Sequence, residues 1–394
     1  GQVSLDALGG LSFTDSNPDL QFLAVAPDIV SAPVELSPYV EAGLRSTSYE
    51  VDYVIIAASN LLADAQTLAD FRRADGYRVL LVDVDDVYWE FADGVPDPLA
   101  VRSFLSFAWE EWETAPRMAV LVGKGNLDYR DLMGLGGNSL PCALAATPDG
   151  LFPSDSILGE VDGIDGAPEI AIGRLPITSG DELVTIIEAI ESFEAGHASM
   201  DALFAADDSE HAEFSAAAGL LMDWAAPERV REIDLNVETR EDARDRLLSM
   251  WGDLGWMTYV GHSGLDRMAS EGLLTLADVP FLASQSSAPV VVGWTCNMVR
   301  FDIPGFSSLG ERLLTEGASA GVFSATGWSN HFETDLLRTA FTEAVFASEA
   351  ETIGDAMIRA HQAASDASLP QHRVYALLGD PALRLRPAET QAEP

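Results

Sequence analysis

Two short runs restrict the fold more than any other part of the chain. Trp256-Met257-Thr258-Tyr259-Val260-Gly261-His262-Ser263-Gly264 and Pro289-Val290-Val291-Val292-Gly293-Trp294-Thr295-Cys296-Asn297 each hold several apolar, β-branched or aromatic residues before breaking into glycine or a polar turn. Neither run alternates apolar with polar, so each reads as a strand covered on both faces, as in a parallel sheet flanked by helices. In such sheets ligands collect beyond the carboxyl ends of neighbouring strands. His262 and Cys296 are therefore expected side by side over one edge, the placement that a thiol nucleophile and an imidazole base require. A lone cysteine at a strand end is usually a small buried apolar residue, and a lone histidine a hydrogen-bonded structural one. Their pairing on strand ends one crossover apart is what points to chemistry. Gly261-His262-Ser263-Gly264 also begins like the Gly-x-Ser-x-Gly elbow of serine hydrolases, but Leu265 stands where the last glycine closes the turn.

The same alternation of apolar runs and helical stretches extends through the chain. Strands are predicted over 51–58, 78–84, 118–122 and 169–172, then over 202–206, 230–235, the His and Cys runs, 320–324 and 375–378. Asn60 is expected to cap a helix to about Ala74, and Asp97-Pro98 opens another. This order specifies an α/β protein, parallel sheets sandwiched by helices in two α/β/α subdomains. The subdomains are expected at 50–197 and 198–386, after a proline-broken lead-in or propeptide remnant at 1–49 and before a frayed tail at 387–394. Residues 123–168 form a long loop rich in Gly, Pro and Asp. Its acids Asp149, Asp155, Asp162 and Asp165 are candidate oxygen ligands for a structural Ca²⁺, without the EF-hand spacing.

Charge excludes whole classes of partner. The chain carries 63 acidic and 22 basic residues, a net charge of −41, and Lys124 is its one lysine. Nucleic acids and anionic membranes need basic patches, so neither is an expected partner. No apolar run approaches the length of a membrane span. Such a surface repels itself in dilute buffer, whereas in molar salt the Debye length falls to about 3 Å, so salt adaptation is expected. Two cysteines, Cys142 and Cys296, are too few for a disulfide framework, and a nucleophilic Cys296 must be a free thiol. The chain opens on Gly1 and is read as a processed product, secreted or at the cell surface.

Tyr259-Val260-Gly261-His262 followed by an apolar strand ending in Cys296-Asn297 resembles the gingipain family of cysteine peptidases, which have a caspase-like fold. Other blocks match in order: Val120-Leu121-Val122-Gly123, Ile170-Ala171-Ile172-Gly173-Arg174-Leu175-Pro176, Val322-Phe323-Ser324-Ala325-Thr326 and Leu378-Gly379-Asp380-Pro381. The resemblance spans roughly residues 50–386 and departs at two places. Ser263 follows the histidine where the family usually has Gly, and Lys124 stands where it often has Asp.

The resemblance implies an endopeptidase in which Cys296 attacks the scissile carbonyl and His262 transfers protons through a thioester, with no required cofactor and a polypeptide as substrate. It further implies an oxyanion hole from the backbone N–H groups of Cys296 and Ser263. Asp207 or Asp208 would orient the His. The family's Arg- and Lys-specific members imply a basic residue before the cut, with Asp207, Asp208, Glu210 and Glu213 as pocket acids and Trp328 and His331 in a pocket wall. Three alternatives stay open: a catalytically silent surface or assembly protein of the same fold, a sortase-like transpeptidase, and a serine hydrolase using Ser263.

Overall fold

The structure, a computed structural model, describes residues 2–5, 11–14, 39–163, 165–196, 200–209, 211, 213–347, 350–366 and 370–385. It divides into a unit of residues 1–41 and a unit of residues 42–394. Of the first unit, Gln2–Leu5 and Leu11–Thr14 pair antiparallel; the remainder of the expected lead-in up to residue 38, like the tail, lies outside the described residues.

The second unit is built on one ten-stranded sheet. Its strands in chain order are β1 (Tyr53–Ala57), β2 (Val79–Asp83), β3 (Met118–Val122), β4 (Ala171–Leu175), β5 (Asp201–Ala206), β6 (Val230–Asp234), β7 (Leu254–Val260), β8 (Val290–Trp294), β9 (Gly321–Ala325) and β10 (Tyr375–Gly379). Their order across the sheet is β6-β5-β7-β8-β9-β10-β4-β3-β1-β2. The two expected sandwiches thus share a single sheet, joined where β10 pairs with β4. Every pairing is parallel except β9 with β10, so β1–β4 and β10 run opposite to β5–β9. This reversal follows from a connection that no local pattern records.

All-apolar strands arise because both faces are covered. Tyr53, Ile55 and Ala57 of β1 pack with the helices Leu62–Ala74 and Gly180–Gly196. Val54 and Ile56, pointing the other way, pack with Val84–Phe91 and Pro98–Glu111. Each buried Val or Ile contributes about 1.5–3 kcal/mol on transfer from water. Caps follow the predicted chemistry at Asp97, whose carboxylate accepts the Leu99 N–H at 2.8 Å ahead of Pro98. Asn60 does not act as a cap: it lies in the 3₁₀ turn Ser59–Leu61, which leads into the helix without a side-chain cap. The helix Val84–Phe91 was not foreseen, nor was the antiparallel hairpin Leu144–Thr147 with Gly150–Pro153 inside the long loop.

Candidate active site

The site is laid down by the register of β7 against β8. Trp256 pairs with Val290 and the parallel ladder runs to Val260 opposite Trp294. Each chain then takes two further steps, Gly261-His262 on one side and Thr295-Cys296 on the other. The expected juxtaposition of strand ends is therefore present. Ser263 strengthens it, because its hydroxyl donates to the Cys296 carbonyl oxygen. That bond also occupies the hydroxyl that a serine nucleophile would need.

The turn after β7 is held from beneath by Asp207, which is 1% exposed at the end of β5. Its Oδ2 accepts the backbone N–H of His262 at 2.9 Å. The Tyr259 hydroxyl lies 3.0 Å from the same oxygen and 2.6 Å from the His262 carbonyl, and it accepts the Ala269 N–H at 2.9 Å. Asp207 thus grips the main chain of the histidine, where an orienting contact to the ring was expected. Burial raises its pKa, opposed by the His262 and Asp208 N–H groups and the Tyr259 hydroxyl. Gly261 permits this closeness: a Cβ there would stand 2.3 Å from the Asp207 Cβ.

His262 is exposed, and its ring meets the edge of Phe214 at 5.1 Å between centroids. Phe214 meets His331 in the same way at 5.2 Å, so one phenyl ring separates two imidazoles. Ser263 forms a bridge with Met268 through its neighbours, Gly264 N–H to the Arg267 carbonyl (3.0 Å) and Ala269 N–H to the His262 carbonyl (2.9 Å). In that type of pair the Ser263 N–H points away from the bridge.

Cys296 is a free, partly buried thiol. Its Sγ accepts the Ser329 N–H at 3.4 Å and lies 3.5 Å from the Ser329 carbonyl oxygen. Burial pushes the thiol pKa up, the Ser329 N–H draws it down, and the charge of Asp149 adds to the rise. Asn297 sits in the left-handed region at φ 55° and donates its N–H to the Gly327 carbonyl at 2.9 Å. A non-glycine residue held there signals a backbone fixed by its surroundings. Cys142, by contrast, is fully buried, and burial pushes its thiol up to about 12.

The remaining predicted residues scatter around this core. Asp208 is exposed and donates its N–H to the Asp207 carboxylate at 3.0 Å. Glu213 opens the helix Glu213–Met222, where backbone N–H groups and the Ser209 hydroxyl hold its carboxyl below the usual range. Glu210 lies outside the described residues. Trp328 is 60% exposed in the loop after β9. His331 in the same loop has its Nδ1 2.9 Å from Arg338, and burial together with that guanidinium lowers its pKa.

The acids proposed for Ca²⁺ do not converge among the described residues. Asp155 engages Arg174 with both oxygens, at 2.6 and 2.8 Å. Asp207, Asp208 and Glu271 instead place carboxylate oxygens within 4.8 Å of one another. Tyr259, Phe214 and Ser329 are site residues that sequence reasoning did not assign. In the sequence Tyr259 and Phe214 look like ordinary apolar positions of a strand and a helix, and Ser329 like an ordinary loop residue.

The model of peptidase family C25 matches residues 46–386. No curated protein matches the chain in sequence. Among solved structures, the Arg-specific cysteine proteinase gingipain R (RgpB) aligns with a TM-score of 0.66 at 16% identity, over 85% of this chain and 78% of that one. The complex of Porphyromonas gingivalis RgpB pro- and mature domains aligns with 0.66 at 16%, over 85% and 80%. A further structure, described only as a protease, gives 0.67 at 15%, over 85% and 78%. At these identities the structural likeness speaks to the fold. Among the described residues no helix is long and apolar enough to cross a membrane.

Proposed function

The chain belongs to peptidase family C25 and is a cysteine-type peptidase, and from that premise we propose that Cys296 and His262 are its catalytic dyad. The observation that carries this is the in-register ending of β7 and β8, with Ser263 tied to the Cys296 carbonyl across the gap. Cys296 Sγ gives its proton to His262 and attacks the scissile carbonyl carbon. The C–N bond then breaks as His262 returns the proton to the leaving amine. Water, deprotonated by His262, attacks the thioester and restores the thiol.

The oxyanion is received by the N–H groups of Cys296 and Ser263, the latter supported by its outward direction from the Met268 bridge. Serine in place of glycine keeps that donor. Asp207 serves as a positioning residue for the His262 backbone. Burial favours the neutral thiol over the thiolate, and His262 acts as a base once substrate excludes water. Cleavage after Arg or Lys is favoured by the acids near the site that have no cationic partner among the described residues, with Asp208 exposed and Glu213 half-buried among the predicted set. The protein is expected to act outside the cell on polypeptides.

The test pairs two probes with one variant. Iodoacetamide should label Cys296 and abolish peptide cleavage, at a rate still climbing above pH about 8.5, the ordinary thiol value. A fluorophosphonate should label nothing. Cys296→Ala should lower kcat/KM by about 10⁴ or more while the melting temperature stays put. Labelling of Ser263 with loss of activity would overturn the dyad.

A further inference from the structure

β9 and β10 pair antiparallel, with Ala325 opposite Tyr375. β10 therefore begins where β7, β8 and β9 end, and its first residue stands at the edge of the sheet that carries His262 and Cys296. That residue is Tyr375, and it is fully buried. Its ring packs against Trp294, two residues before the nucleophile, at 5.4 Å between centroids. Its hydroxyl reaches the loop after β9, where it lies 2.7 Å from the Ser329 hydroxyl. Burial keeps the Tyr375 hydroxyl protonated, so it acts as a hydrogen-bonding group and not as a charge.

Ser329 is the loop residue that touches the sulfur. Its N–H donates to Cys296 Sγ at 3.4 Å, and its carbonyl oxygen lies 3.5 Å from the same atom. The next two residues are also held by buried side chains. The Asn330 N–H donates to the side-chain oxygen of Gln371, in the 3₁₀ turn Pro370–Val374 just ahead of β10. The His331 carbonyl accepts Arg338 at 3.1 Å. Of these three tethers, the one from Tyr375 ends on the residue in contact with the thiol.

We infer that Tyr375 is a positioning residue for Cys296: its buried hydroxyl fixes Ser329, and the Ser329 main chain in turn fixes the direction of the thiol. This role rests on the dyad proposed above and deepens it, because it enlists a strand on the side of β8 away from His262.

A thiol is a weak donor and a weak acceptor, so its own hydrogen bonds do little to choose between rotamers. A main-chain N–H aimed at sulfur favours the thiolate, because charge strengthens that bond. The carbonyl beside it acts the other way and favours the protonated form. Which of the two prevails depends on how the Ser329 backbone is turned. Residues on loops hold a geometry less closely than residues on strands, and a hydroxyl anchored in the sheet gives this loop the precision of β10. The Tyr375 hydroxyl is buried beneath the loop, so its effect falls on the chemical step more than on binding.

The experiment compares the full chain as wild type, Tyr375→Phe, Ser329→Ala and the two combined. Phe keeps the ring packed on Trp294, and circular dichroism checks the fold. The first readout needs no substrate: the rate at which iodoacetamide alkylates Cys296 in the free enzyme, followed against pH. Its midpoint should move up by about half a pH unit or more in Tyr375→Phe, because the thiolate loses a well-placed donor. The second readout is kinetic. On a peptide that wild type cleaves, kcat should fall about 10-fold while KM stays within about twofold. Ser329→Ala should reproduce both changes, and the double variant should be no worse than either single one, because all three lack the same bond. A folded Tyr375→Phe with the wild-type alkylation profile and kcat would overturn the inference and leave the dyad standing. Losses that multiply in the double variant would overturn it as well. Should Tyr375→Phe not fold, Ser329→Ala tests the same bond from its partly exposed end, and a wild-type profile there overturns the inference. A wild type whose cleavage survives complete alkylation of Cys296 would overturn the dyad, and this inference with it.

Discussion

Buried aspartates occur in two regions of this sheet, and they are used in opposite ways. Around the junction of β10 with β4, each is matched to an arginine. Asp155 forms a two-pronged pair with Arg174, which also donates to the Gly123 and Leu140 carbonyls at 3.0 and 2.9 Å. Asp380 accepts Arg72 at 2.7 Å, the Tyr53 hydroxyl at 2.7 Å and the Ala382 N–H at 2.8 Å. At the end of β5, Asp207 is equally buried but has backbone N–H groups and a tyrosine hydroxyl in place of a cation. The first arrangement neutralises charge, and Asp380 with Arg72 and Tyr53 also ties the end of β10 to the first half of the sheet. The second accepts a raised pKa and in return fixes the main chain under His262. A cation there would sit beside the imidazole and disfavour its protonated form, which the proposed mechanism requires.

The largest expected effect tests the locking region. Arg174→Met leaves the Asp155 carboxylate buried and unpaired and should cost about 3–5 kcal/mol in denaturant unfolding. Loss within the range of a surface substitution would mean that the pair is not what joins these segments. The folded fraction of the variant should still alkylate at Cys296, because among the described residues no hydrogen bond joins Asp155 or Arg174 to Cys296, His262 or Asp207.

Asp207→Asn sharpens the other side. It should lower kcat by about 10–100-fold through a small displacement of His262, while stability at pH 7 changes by about 1 kcal/mol or less. The sign follows from the raised pKa: the charged form is the disfavoured one in the folded state. The wild type therefore gains stability relative to the variant as pH falls through that raised value toward about 3.9, the ordinary carboxyl value. Unfolding curves at pH 7 and pH 4 check this. A stability gap that widens in favour of the variant at low pH would contradict the burial argument.

The smallest effect per group concerns charges that belong to neither region. Buried pairs are screened little by salt, whereas the exposed acids repel one another. The melting temperature should climb from low to molar KCl in wild type, and Arg174→Met should climb in parallel from a lower start. A flat curve would leave the acidity as a matter of solubility alone.

The sequence by itself determined the strands and where the His and Cys runs end. Ten strands were readable, most of them as apolar runs because burial on both faces suppresses the alternation that a half-exposed strand such as β6 needs. The ends of the His and Cys runs were readable because glycine and polar turns stop a strand within a few residues. Asp97-Pro98 was readable for the same reason, since a cap acts over one helical turn.

Tertiary structure decided everything that depends on contact between distant segments. The pairing of β10 with β4 joined two expected sheets into one. The grip of Asp207 on the His262 main chain joins residues 55 positions apart. Ser329 against the thiol, and the packing of Phe152 on Gly327, depend on loops whose local sequence permits many paths. Periodicity and capping are properties of a short window and leave a mark in it. Which carboxylate meets which N–H is set by packing across the whole sheet, and an acid bound for a turn, an ion pair or an active site looks the same in sequence.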